Sequence, residues 1–350
     1  MKPPFKKTMI GAATELSEAG LPGPSKFSVV IPPFEQKINK RGPFKLSKVT
    51  DEYPYFSDLL NRIVQQSIRE LPDFSDDSKI AVMSDFGGEH ASARFYTYSF
   101  LFLAYNKVGP FEEKMRELRK KYGLLEHYSE FAYKKLASGA KARALPEYLQ
   151  LIDSLIHGAI ITIAIDKRIE TVFGAQKKQA HPVMVKQLQE EGLGEWHGPG
   201  AEKVLRVANI IAAFAALLTH ENQRLLWYSD KDLINEDGKK WDFTHTQQIL
   251  VRALGMYLSH RLDVVGFAKS FDKKSHLDDL LSVPDLAAGV IQDLLLQNET
   301  REDIPGGDEK AMVMRWIATP AKYLSKLTVQ ITRTDDGGIG FGCVDMVVKP

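Results

Sequence analysis

The sequence predicts an α/β protein: a mixed sheet flanked by helices, with extensions at the N- and C-terminal sides. Three observations predict it. Two strand-like runs, "KIAVMSD" (79–85) and the aromatic-rich "ARFYTYSFLFLAYN" (93–106), follow one another across a polar turn. Strands and helices then alternate, which implies parallel strands joined by crossover helices. Finally, "VANIIAAFAALL" (207–218) leaves too few polar positions for a solvated face, so it reads as a helix buried inside the domain. Strand 79–85 is expected at the sheet centre, with strand 95–105 antiparallel beside it.

The elements follow in order. Residues 1–75 read as an N-terminal extension or arm; their first 50 are rich in Pro, Gly and Lys, with short apolar pieces such as "KFSVVIPPF". The main domain spans 76–300. Within it, "GPFEEKMRELRKKYG" has helical charge spacing and stops at Gly123, and "PEYLQLIDSLIHG" is a second helix. The β-branched run "AIITIAID" (159–166) is a strand ending on Asp. A polar stretch, 175–200, reads as a loop or excursion. Helix 202–219 leads to strand "RLLWYSD" (224–230), then helix 244–259, strand "DVVGFAK" (263–269) and helix 283–297. Beyond 300, "REDIPGGDEKAM" is loop-like, and "LTVQITRTDDGGIGFGCVDMVV" reads as a terminal hairpin, so 301–350 is expected to be loop and hairpin.

Composition narrows the function classes. The chain has 350 residues, 44% apolar and 26% charged, as in a globular protein with a substantial core. With 46 basic against 45 acidic residues there is no global pull toward nucleic acid, so any such site is a local patch. A single cysteine, Cys343, excludes an internal disulfide or a cysteine zinc cluster and suits a reducing cytoplasm. No apolar run approaches the roughly 20 residues of a membrane helix, and no secretory signal opens the chain.

The carboxylates carry the functional argument. Ligand sites in open α/β sheets lie at the carboxyl ends of parallel strands, and Asp85, Asp166 and Asp230 all stand at such ends. Taken singly, a strand-terminal Asp also starts turns or caps the next helix; their joint placement points to a site. Glu89 follows Asp85 past the turn Gly87-Gly88. In "SVPDLAAGVIQDLL", Ser282 and Asp285 form a plausible capping box with Pro284 in the first turn. The same placement aims Asp285 at the strand-end acids. In the segment 124–143, Glu126, His127 and Glu130 precede the cations Lys134, Lys135, Lys141 and Arg143. This is either a solvated helix face with ordinary ion pairing or an acid reaching a metal beside cations that track a phosphate backbone. Acids gathered at one sheet edge repel unless neutralised, and Mg²⁺ or Mn²⁺ is the expected occupant for oxygen ligands. Two such ions roughly 3.5–4 Å apart form the clamp used in phosphodiester cleavage.

On "MSDFGGEH", "LEHYSEFAYKKL", "LLWYSD" and "LSVPDLAAG", the chain resembles the ribonuclease H-like superfamily and, within it, the family catalogued as domain of unknown function 3800. The resemblance covers about residues 79–297. It implies a ribonuclease H-like mixed sheet and a metal-dependent nuclease acting on DNA or RNA. The acids it implies are Asp85, Glu126 or Glu130, Asp230 and Asp285, with Asp166 the rival of Asp230. This sequence carries Asp85-Phe-Gly-Gly-Glu89 where the family has a tight pair of acids, and Pro284-Asp285 where it has Ala-Asp.

Other readings fit less. "DFGGE" invites comparison with the phosphate hairpins of actin-like ATPases, but those need a second, duplicated domain, and "TDDGGIGFG" (334–342) has none after it. A kinase "DFG" would need a preceding Gly-rich loop and a His-Arg-Asp loop. The alternative of a different class is a ribonuclease H-like scaffold that acts as an interaction module without catalysis.

Overall fold

The computed structural model describes residues 38–46, 51, 54–125, 130–236, 238–270, 275–301 and 307–346. Among them a seven-stranded mixed sheet is flanked on both faces by helices. The sheet is built from β3 (Lys79–Gly87), β4 (Phe95–Ala104), β5 (Gly158–Asp166), β6 (Arg224–Ser229), β7 (Val264–Lys269), β8 (Leu324–Arg333) and β9 (Ile339–Cys343). Its order is β7-β6-β3-β4-β5-β8-β9. β3 runs antiparallel to β4 and β4 to β5; β6 and β7 add in parallel on the β3 side, and β8 adds parallel to β5. Strand 79–87 is therefore interior, with its hairpin partner beside it, as the sequence predicts. A two-residue ladder, β1 (Lys40–Arg41) with β2 (Leu71–Pro72), lies outside the main sheet.

Both faces of the central strands are covered, which is why they read as continuous apolar runs rather than alternating ones. On one face Ile80, Val82, Phe100 and Phe102 pack with α1 (Pro54–Ser67), α4 (Lys177–Glu190), α5 (Gly198–Leu218) and α6 (Phe243–Tyr257). On the other, Ala81, Met83, Leu101 and Leu103 pack with α2 (Gly109–Tyr122), α3 (Gly139–Leu155), α7 (His276–Thr300) and α8 (Asp308–Ala318). α5 is the buried helix the sequence announced: from Leu205 to Leu218 only Ala216 is even partly exposed. No helix among the described residues is long and apolar enough to cross a membrane.

Four expectations need correction, each for a physical reason. Residues 1–37 lie outside the described residues, but the described part of 38–75 does not form a separate arm. α1 places Phe56, Leu59, Leu60, Ile63 and Val64 in the same core as α5, and the compact unit begins at Lys37. The stretch 175–200 contains α4, a helix whose only buried side chains are Met184 and Leu188; one apolar pair four residues apart is too sparse a pattern to announce it. The C-terminal hairpin is no appendage, because β8 completes the sheet beside β5, and the stretch read as loop before it contains α8.

The fourth correction bears on the site. α7 begins at His276, two turns earlier than the sequence suggests. Its cap is Ser275, whose hydroxyl accepts from the Leu277 N–H while Asp278 accepts from the Ser275 N–H at 2.6 Å. Pro284 sits inside the helix, so Ser282 and Asp285 are mid-helix residues and not a capping box. Ser282 instead donates to the Asp278 carbonyl at 2.9 Å and accepts from the Phe131 N–H.

Phe214 of α5 is 1% exposed and packs on Phe102 with ring centroids 6.3 Å apart. Phe214→Ala is expected to cost about 3–5 kcal/mol, read from urea unfolding; a cost under about 1 kcal/mol would show a peripheral helix.

Candidate functional site

Parallel pairing in the register Ser84↔Ser229 sets Asp85 and Asp230 side by side at the carboxyl ends of β3 and β6. The Asp230 N–H donates to the Ser84 carbonyl at 3.4 Å. Asn235 fixes the loop after β6 by donating to the Asp230 carbonyl at 2.7 Å. By strand alternation Asp85 shares the face of Ala81 and Met83, the face that α7 crosses.

α7 is held there by a buried ion pair. Arg119, at the end of α2, donates to Asp279 through Nε at 3.1 Å and also through Nη2; both side chains are almost fully buried. The Tyr148 hydroxyl donates to the Asp279 carbonyl at 2.6 Å. With the helix so fixed, Asp285 faces the sheet edge. The segment 130–136 lies along the same helix: Tyr133 N–H donates to Asp285 Oδ2 at 2.7 Å, and the Tyr133 hydroxyl to Asp293 at 2.8 Å. Gly289 permits this approach, since a Cβ there would stand 2.3 Å from the Tyr133 ring. What the missing side chain makes room for is this segment, which carries Glu130 to the site.

The electrostatics show which acids meet. Burial pushes the Asp85 carboxyl well above the usual range, and the charges of Asp285, Asp230 and then Asp232 push it further, against one backbone N–H, that of Phe86. Asp285 is pushed up to about 6, by burial first and then by Glu130 and Asp230, with the Tyr133 N–H and Lys134 opposing. Asp85, Asp230, Asp285 and Glu130 are thus the sequence-predicted acids that the fold brings together.

The remaining candidates go elsewhere. Asp166 stands at the end of β5, but the register Asp85↔Ser99↔Thr162 leaves it four residues, roughly 13 Å, further along the sheet. Its carboxylate is saturated: it accepts from Arg168 Nε and N–H, both at 2.8 Å, and from the Arg333 N–H at 3.4 Å, with Arg94 at 3.6 Å. Burial acts to raise its pKa, yet these donors prevail and hold it below the usual value. Of the two rivals the cluster therefore contains Asp230. Glu89 is exposed past the turn and pairs with Lys203 of α5, which also binds Asp232 at 2.6 Å. Glu126 and His127 lie outside the described residues. Of the cations, Lys134 acts on Asp285 and Lys141 donates to the Glu130 carbonyl at 3.2 Å, while Lys134, Lys135 and Arg143 are exposed. Asp232 is the acid that sequence reading missed; its only signal was its place two residues beyond Asp230 on a loop at a strand end.

Among the described residues, no group of three or more His, Cys, Asp or Glu side chains is placed to hold a metal ion. The converging groups are all carboxylates, the donor type that hard divalent cations take, and burial and neighbouring acids hold Asp85 and Asp285 toward the neutral form. The chain matches no family model and no curated protein, so the geometry of the site carries the functional argument.

Two outcomes follow. An acid with a raised folded pKa costs nothing below its ordinary value of 3.8, costs more as pH rises through about 6, and costs its full amount above that. Metal-free protein should accordingly lose stability between about pH 4 and 6, and Asp285→Asn should remove the share of that loss due to Asp285, on the order of 2–3 kcal/mol, in urea titrations across pH, leaving the share due to Asp85. Arg119→Met should destabilise by about 3–5 kcal/mol by stranding Asp279, measured the same way.

Proposed function

We propose that the protein is a divalent-metal-dependent phosphodiester hydrolase of ribonuclease H-like type, acting on nucleic acid. The feature that supports the reading is half-buried Asp85 beside Asp230 at the carboxyl ends of two parallel strands, with the charge of Asp285 of α7 acting on Asp85 and that of Glu130 acting on Asp285. Asp85 would be the central ligand, with Asp230 and Asp285 completing the set and Glu130 at the side; Glu126 is a further candidate. Mg²⁺ or Mn²⁺ held there would supply a water of lowered pKa and positive charge for the phosphoryl oxygens. The chain's own part is orientation. Asn235 fixes the loop that bears Asp230, the Tyr133 N–H fixes one oxygen of Asp285, and Lys134, exposed and near enough to act on Asp285, would meet a phosphate backbone. The order of the central sheet supports the fold resemblance: a first strand ending in the key acid, two antiparallel neighbours, then parallel strands on the other flank. A cytoplasmic setting belongs to the same reading, given the lone Cys343.

A non-catalytic interaction module on this scaffold is the second reading. It is favoured by Lys203, which already neutralises Glu89 and Asp232 and so removes two acids from the set.

The deciding experiment pairs melting curves in EDTA, Mg²⁺ and Mn²⁺ with cleavage of mixed DNA and RNA substrates. The parent should melt higher with either ion, because a ligand that binds only the folded state stabilises it, and should cleave. Asp85→Asn should cleave nothing and should melt no lower than the parent without metal, since it removes a repelling charge. A parent indifferent to both ions and inert would transfer the argument to the interaction module.

A further inference from the structure

The four cations lining a pocket of about 390 Å³ at the start of α5 are matched by three lining carboxylates and by Asp232, which binds Lys203. The open feature of the molecule lies at one margin of the sheet. Strand β7 (Val264–Lys269) ends the strand order and, among the described residues, pairs only with β6. None of its six residues is fully buried, and Val264 is 50% exposed. Beside it a groove of about 450 Å³ runs between Phe267 and the α6 residues Gln247, Gln248, Val251 and Arg252. Val251 is 49% exposed there.

Edge strands commonly carry a device against pairing, such as a proline, a bulge, a central charge or a covering segment. β7 has no proline, and its residues pair with β6 in unbroken register. Its charges stand at its two ends, Asp263 just before it and Lys269 last, so Val264 to Ala268 are uncharged. The opposite edge differs. β9 has five residues, Gly340 and Gly342 among them, and its Cys343 thiol donates to the Ser67 carbonyl at the end of α1 at 3.1 Å.

The order of residues along β7 decides the occupant. Antiparallel pairing of two copies about Gly266 sets Asp263 opposite Lys269, Val264 opposite Ala268, and Val265 opposite Phe267. A two-fold axis at that point keeps opposed side chains on the same face of the joined sheet. Every opposed pair is then apolar or of opposite charge, and such pairs stabilise antiparallel strands. A slip of two residues opposes Asp263 to Phe267, or Lys269 to Val265, and loses the ion pairs. Within the chain Asp263 already meets Arg224 at 2.8 Å and Lys269 meets Glu236 at 2.6 Å. Each contact across the axis therefore joins two existing pairs into a row of alternating sign.

We propose that the protein associates with a second copy of itself through β7, the two sheets joining antiparallel about Gly266 with Val251 of each α6 facing the other copy. The contact is isologous, so it closes at two chains instead of growing into a filament. It does not rest on the metal reading: the antiparallel join leaves the two acid clusters at opposite ends of the common sheet.

The test uses the full chain in EDTA, so that no metal bridges two copies, in sedimentation velocity over about a hundredfold range of concentration. The parent should pass from the mass of one chain to twice that mass, and the amides of 263–269 should exchange hydrogen more slowly as it does. Asp263→Lys and Lys269→Asp each oppose like charges twice per dimer, and each should weaken association by about tenfold or more. The double variant restores opposite signs across the axis and should return to within about threefold of the parent. These changes also disturb the surface pairs with Arg224 and Glu236, which contribute little to the fold. Val264→Glu touches neither pair and should likewise weaken association by about tenfold or more. A parent that keeps the mass of one chain, a dimer indifferent to the single changes, or a double variant no tighter than the singles would each overturn the proposal.

Discussion

The Arg119–Asp279 pair is the constraint on which the candidate site depends. It joins the end of α2 to the first turn of α7 in a setting where neither charge reaches water. Such a pair contributes little net stability against an apolar substitute, but it tolerates only one arrangement, since either partner alone would be a stranded charge. Around it Phe131 stacks on Tyr148 at 4.2 Å, and the guanidinium lies 5.7 Å from the Phe131 ring. The same contacts that fix α7 therefore fix the segment carrying Glu130. Asp285 comes near Asp85, and Glu130 near Asp285, because of packing at Arg119 and not through any attraction among the acids, which repel.

The acids of the α7 face divide into compensated and uncompensated ones. Asp166 has three hydrogen-bond donors and a flanking arginine; Asp153 has Trp316 and Lys326; Asp278 has Ser270 and the Ser275 N–H. These acids hold elements together. Asp85 and Asp285 are different: acids outnumber donors around Asp85, and around Asp285 the Tyr133 N–H and Lys134 do not offset burial with Glu130 and Asp230. Burial without compensation destabilises a fold, so it persists where something else is served. That contrast, and not the number of acids, separates a site from a structural network here.

Lys203 stands between the two concavities of this sheet edge. It binds Glu89 and Asp232, lies over the Phe86 ring at 5.2 Å, and lines the pocket on the α5 side. Asp232 in turn adds to the field on Asp85. The two faces are thus electrically continuous around the tip of β3, although their side chains belong to separate cores.

By itself the sequence determined the elements whose signal is local. The central strands, the hairpin of β3 and β4, the stop of α2 at Gly123 and the burial of α5 follow from runs and periods within about a dozen residues, and they survive unchanged. It also placed acids at strand ends, since an apolar run that stops at Asp is visible in one dimension. Tertiary structure decided whatever depends on partners distant in sequence. Asp166 and Asp230 look alike as strand-terminal acids; only the sheet register and the arrival of Arg94 and Arg333 make one a structural ion pair and leave the other beside Asp85. The start of α7 was misread because Ser282-Val-Pro284-Asp285 is as good a cap on paper as Ser275 with Asp278, and the choice between them is made by packing against β3 and by the Arg119 pair. α4 and β8 form because neighbours complete their burial, and no local pattern contains a neighbour.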